Sequence, residues 1–103
     1  MLASAEEAMT KRYALRSQGW DLDGVASRVS ELLGLKPDEV WAPGKHRRVV
    51  EARSLLCYWA VRELGIPMSS LARKLGISIP SVSDSVTRGR KIAETKRWFL
   101  VET

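Results

Sequence analysis

One cysteine, Cys57, one histidine, His46, and one phenylalanine, Phe99, in 103 residues set the first limits on this chain. A lone cysteine closes no internal disulfide and builds no cysteine-based zinc cage, so a reducing cytoplasm is the natural compartment. A lone histidine, with cations at Lys45, Arg47 and Arg48 around it and no second ligand at a useful spacing, builds no metal site. His46 is expected at the surface or against a phosphate. No paired acids accompany these residues and no phosphate-binding glycine loop is present, so neither an enzyme nor a cofactor is expected. The longest apolar run, "SLLCYWAV", is far too short to cross a bilayer. The opening "MLASAEEAMTKRY" carries acids and no continuous apolar stretch, which argues against a signal peptide or anchor; a soluble protein with no membrane partner follows. Period-2 alternation is missing apart from a few residues in "WFLVE", and there are no internal repeats, low-complexity tracts or long linkers.

What is present suits one small domain. With 45% hydrophobic and 28% charged residues the chain can build a core, but 103 residues are too few for two. The net charge of +5 is unevenly spread: up to Gly44 there are five Lys and Arg against seven Asp and Glu, and from Lys45 onward twelve against five. A basic second half favours a polyanionic partner, which it would bind by neutralising phosphates and releasing counterions.

The pattern reads as all-α. Leu2, Ala5, Met9 and Tyr13 fall at helical spacing in a segment of about residues 2–18 that Gly19 stops. Asp21 is a good N-cap for "LDGVASRVSELLG", where Leu22, Val25, Val29 and Leu32 or Leu33 form a stripe and Gly34 ends the helix. Pro37 opens a short turn, "PDEVW", with acids in its first turn. A long helix of about residues 45–64 starts basic and becomes apolar on almost every face, which makes it the buried hub. "GIP" breaks it. "MSSLARKLG" and "PSVSDSVTRGRKIA" follow as two more helices, the second capped by Ser78. The division expected is 1–44 as N-terminal helices, 45–93 as basic hub helix with helix-turn-helix, and 94–103 as a tail.

The last two helices have the spacing of a helix-turn-helix. Ala72 is small where the helices cross, Gly76 makes the turn four residues on, and Val82 follows six later. Leu71, Leu75, Ile77, Val82 and Val86 would form the shared core. Ser78, Ile79, Ser81, Ser83, Asp84, Thr87 and Arg88 would then face outward, a surface of mostly small, hydroxyl-bearing groups able to enter a major groove. Arg88, Arg90 and Lys91 would hold backbone phosphates at its far end. Asp84 is the exception: phosphates repel it unless it accepts from a cytosine amino group, or unless it pairs with Arg88 one turn on. Lys45, Arg47, Arg48 and Arg53 form a second phosphate-seeking group at the start of the hub helix. The bland alternative for these two helices is a structural αα-hairpin.

From "VSELLGLKPDEVW" through "GKHRRVVEARSLLCYWAVREL" to "SSLARKLG…PSVSDSVTRGRKI", the chain resembles the C-terminal DNA-binding domain of the bacterial replication initiator DnaA, whose fold is Trp-repressor-like. "AEEAMTKRYALRSQGWDLDGVASRVSELLG", "ARSLLCYWAVRELG" and "LARKLGIS" are similar to the region that follows the catalytic domain in REP-associated tyrosine transposases. The resemblance implies recognition of double-stranded or hairpin DNA by the helix-turn-helix. In it, Lys45, Arg47 and Arg48 would reach a neighbouring minor groove or phosphates. Ile77, Ser78 and Ile79 stand where the initiator family places arginine, aspartate and histidine, so its origin sites are not the expected target. Transposase relatives carry a catalytic tyrosine and a histidine pair upstream. Here Tyr58 lies in the apolar hub and Tyr13 has no acid or metal cluster near it. The abrupt start inside the region of resemblance suggests a fragment of a longer protein with an upstream catalytic domain; a free-standing relative, a nucleoid-associated transcriptional regulator and a homodimer stay open.

Cys57 reads as a small buried hydrophobe and Trp59 as core. Trp20 and Trp41 should cover helix ends, and Trp98 should pack the tail back or stay half exposed, with stacking on a single-stranded base as the functional alternative for one tryptophan. The competing class is a protein-interaction or oligomerisation module, in which the amphipathic N-terminal helix and exposed tryptophans make the contact and the helix-turn-helix is vestigial.

Overall fold

A computed structural model describes residues 19–41 and 46–100, and every regular element among them is helical. The expected helix over residues 2–18 lies outside the described residues. Helix α1, Leu22–Leu33, starts where Asp21 accepts a 2.8 Å hydrogen bond from the Gly24 amide and ends at Gly34 in the left-handed conformation. Its stripe of Val25, Ala26 and Val29 is fully buried. Pro37 then opens α2, Pro37–Val40, which seals one end of the core with Val40.

The hub is α3, Arg47–Arg62, somewhat shorter than the 45–64 read from sequence. His46 holds the N-cap position in extended conformation, and the chain leaves at Glu63, with Gly65 at φ 70° and the Ile66 amide bonded to the Ala60 carbonyl. Ala52, Leu55, Leu56, Cys57, Trp59 and Ala60 are all buried, as an apolar run on every face requires. Ser54 is buried too, and its hydroxyl donates to Val50 O at 2.8 Å in its own helix, so nothing polar is stranded.

Helices α4, Met68–Leu75, and α5, Ile79–Lys96, are joined by Gly76, Ile77 and Ser78. Gly76 adopts φ 69°, which lets the Ile77 amide reach back to the Ala72 carbonyl. Leu71, Ala72, Val82 and Val86 join Cys57 and Ala60 in one core cluster, with Leu75 and Ile77 packed at its edge, the set expected of the two crossing helices. The last helix continues past Ala93, where the sequence reading stopped it, because Ala93 still faces the core and "ETK" sustains the ladder. It ends at Arg97 with φ 55°. The following residues form no strand: Trp98 and Leu100 fold back onto the core, and Arg28 of α1 donates through Nε and Nη2 to the Phe99 carbonyl, each at 3.2 Å. What was read as a separate tail is therefore partly helix and partly core.

The most extensive packing is between α3 and α5. Cys57 and Ala60 share a cluster with Val82 and Val86, whereas Ala52 and Leu55 share the other with Ala93, so the two helices run antiparallel. They touch backbone to backbone at Gly89. A Cβ built there would overlap the Ser54 carbonyl and sit 2.8 Å from Tyr58 Cβ. Helix propensity alone favours alanine over glycine by about 1 kcal/mol. Ser54 is backbone and cannot yield, so Gly89→Ala should instead destabilise the fold by about 1–3 kcal/mol, the usual cost of overpacking. A urea midpoint that falls while the slope stays constant would show it; a raised midpoint would mean the helices separate freely.

Candidate nucleic-acid interface

Helix α5 buries one stripe, Val82, Ser85, Val86, Gly89 and Ala93, half-buries Ile92 beside it, and exposes the rest of its surface. Ser78, Ile79, Ser81, Ser83, Asp84, Thr87, Arg88, Arg90 and Lys91 are all exposed, as the sequence reading has them. Their chemistry is less uniform than their exposure. Ser78 caps the helix: its Oγ accepts from the Ser81 amide at 3.2 Å and lies 2.8 Å from Ser81 Oγ. Thr87 donates its hydroxyl to Ser83 O at 3.3 Å. Ser78 and Ser81 are thus tied to local geometry, and Thr87 keeps only acceptor capacity. Ile79, half exposed at 50%, offers an apolar surface beside them.

The basic residues gather at the other end of α5. Because α3 and α5 run antiparallel and meet at Ser54 and Gly89, Arg47 and Lys96 each lie seven residues, about 10 Å, from the crossing in the same direction. Arg47, Arg48, Lys96 and Arg97 therefore lie towards one end of the molecule, with Lys91 nearer the crossing on the outer side of α5, and all five are exposed. Lys96 and Arg97 were missed from sequence, since only the helix pairing brings them beside Arg47 and Arg48. Some of these cations are already engaged: Arg47 Nε is 3.4 Å from Glu51 and Arg90 Nε is 3.3 Å from Glu94. Both pairs are surface i,i+4 contacts that a phosphate can displace at little cost. Arg53 is half-buried on α3, set back from the exposed group. Lys45 lies outside the described residues. The Asp84–Arg88 pair, one of the two alternatives for Asp84, is not formed, and neither residue has an ion-pair partner among the described residues.

Trp59 is core; Trp20, Trp41 and Trp98 are half-buried against it. Lys74 of α4 stands 5.5 Å from the Trp41 ring centroid, a cation–π contact linking α2 to the first helix of the pair. Among the described residues no three His, Cys, Asp or Glu side chains gather as a metal group, and no helix is long and apolar enough to cross a membrane. Set against known proteins, the chain matches no family model, no curated protein and no solved structure.

Cys57 lies fully buried behind the first half of α5, packed with Val82 and Val86. Burial pushes its thiol from 9.0 up to about 11, against the Arg53 guanidinium, which pulls it down. The folded state keeps the thiol neutral while the unfolded chain ionises, so this stabilisation is complete below pH 9.0 and is lost as pH rises towards about 11. Denaturation across that window should show stability falling more steeply for the native chain than for Cys57→Ala. Parallel curves would mean the thiol ionises as easily folded as unfolded.

Proposed function

We propose that this chain is a duplex-DNA-binding domain without a reaction of its own, reading base edges with the first half of α5 and holding phosphates with the basic end that α3 and α5 share. The observation that carries the reading is the placement of α5: anchored at Gly89, it leaves the Ile79–Arg88 face open while its far end carries the cations. A helix of 18 residues is about 27 Å long, enough for its first turns to enter a major groove while its last turns pass over the bordering backbone.

A second feature supports it. Arg47 and Arg48 occupy the first turn of α3, which has no acidic residue there. Cations at a helix N-terminus oppose the helix dipole by a few tenths of a kcal/mol or more each. Apart from the Arg47–Glu51 surface pair, local stability gives no reason for them, and an anionic partner does. The likeness to the DNA-targeting half of REP-associated tyrosine transposases, and to the Trp-repressor-like domain of the replication initiator, points to the same role. On that reading the chain directs a catalytic domain elsewhere in a longer bacterial protein to duplex or hairpin DNA in the nucleoid, with stand-alone transcriptional regulation as the neighbouring role.

Fluorescence anisotropy of labelled duplex, hairpin and single-stranded DNA at several salt concentrations tests this. Binding should favour duplex or hairpin and weaken steeply with salt. The double replacement Arg48→Ala with Lys91→Ala should weaken binding to all sequences alike and reduce the salt slope by about 2. Absence of binding to any DNA at low salt would overturn the reading and leave Phe99, 65% exposed beside the folded-back tail, as the best candidate for a protein contact.

A further inference from the structure

At 3.6 residues per turn, the line of α5 directly opposite its buried stripe of Val82, Ser85, Val86, Gly89 and Ala93 passes through Pro80, Asp84, Thr87 and Lys91. Asp84 is the only acid on that crest, and it stands one turn into the helix, in the half that carries the hydroxyls. It has no hydrogen-bond or ion-pair partner among the described residues, although Arg88 lies one turn away. An exposed carboxylate on the most protruding line of a helix is a poor choice for a surface that only has to stick to phosphates, because it repels them. It is a good choice for a surface that must refuse most bases.

We infer that Asp84 is the specificity-determining residue of this domain, accepting a hydrogen bond from the exocyclic amino group of a cytosine in the major groove. The inference rests on the duplex-binding reading and names what α5 reads. A carboxylate only accepts. Facing guanine it meets the N7 and O6 acceptors, and facing thymine the O4 acceptor and a methyl group, so both are rejected by an unpaired, desolvated charge. Adenine offers an N6 amino group but sets the N7 acceptor beside it, against the second carboxylate oxygen. Cytosine offers the N4 amino group with a C–H and no acceptor beside it on its own ring. Because no neighbour in the protein neutralises Asp84, the base has to, and a wrong base pair is penalised by the charge left unpaired. Rejection thus does more of the discriminating than attraction.

The test is selection from a pool of random duplexes with the native protein and with Asp84→Asn, followed by anisotropy on the selected sequence and its single-base variants at fixed salt. The native protein should select a site with one C·G pair whose replacement lowers affinity about tenfold or more, the worth of a good base contact. Asp84→Asn should lose that preference and move it to A·T, since an asparagine amide matches adenine N6 and N7 bidentately. Thermal unfolding of the variant should be unchanged, Asp84 being exposed and unpaired. If Asp84→Asn binds every duplex more tightly by one common factor and selects the same sequence, the carboxylate only repels phosphates and the inference falls while duplex binding stands. If neither protein binds any duplex at low salt, both fall together.

Discussion

Everything the candidate interface can do depends on the contact between Gly89 and Ser54, where α3 and α5 meet with no side chain between them. That contact fixes the rotation of α5 about its own axis: with Gly89 turned to the hub, Val82, Val86 and Ala93 must turn inward too, and the residues opposite must face out. It also fixes how far α5 slides along α3, and hence which cations share an end. The face that would meet DNA is thus set by a residue that has no place on it. Gly76 constrains differently. Nothing lies within 4 Å of a Cβ there, so its requirement is the left-handed backbone of the turn and not space. One glycine sets the direction of the chain and the other the distance between helices.

The hub helix joins two regions of opposite character. Its second half buries Leu55, Leu56, Cys57, Trp59 and Ala60 and contributes to both core clusters, while its first turn carries two arginines and no acid. The antiparallel pairing sets the C-terminal end of α5 beside that first turn. There Lys96 sits favourably against the negative end of the α5 dipole, whereas Arg47 and Arg48 oppose the positive end of the α3 dipole. A cluster built only for stability would not hold both kinds. The Arg47–Glu51 and Arg90–Glu94 pairs keep some of the charge occupied while the arginines stay exposed, so an incoming anion can exchange for the carboxylate.

Much of this was legible from residue order alone. The caps at Asp21 and Ser78, the glycine stop at Gly34, the break at Gly65 to Pro67 and the turn at Gly76 all lie where local chemistry puts them, because caps and turns are decided within four or five residues. The inward set Leu71, Val82 and Val86 follows from 3.6-residue periodicity. Gly89 was read only as part of a basic helical segment, since a mid-helix glycine in sequence looks like a weak helix former and its partner, Ser54, is thirty-five residues away. Lys96 and Arg97 escaped for the same reason: they extend the basic group only through a long-range pairing that periodicity does not reveal. The Asp84–Arg88 pair, one of two alternatives open for Asp84, is missing because spacing permits an exposed pair without making it worth the lost side-chain freedom.

On the proposed reading, the face of α5 has little to read with. Capping ties Ser78 and Ser81 to each other with one hydroxyl proton left between them, and Thr87 has given its proton to its own helix, so base edges fall chiefly to Ile79, Ser83, Asp84 and Arg88. Four side chains along about 14 Å of helix span only a few base pairs. A site that short recurs throughout any genome, so this face alone sorts sequences without addressing a unique place. The phosphate-holding end adds affinity to every site equally and does not help. Unique addressing then requires a second reader at a fixed distance, whether another copy of this chain or a domain joined to it. Either one multiplies the discrimination, because two weak readers held together bind as one. On that proposal, a reading face this economical would suit one half of a targeting device better than a self-sufficient regulator.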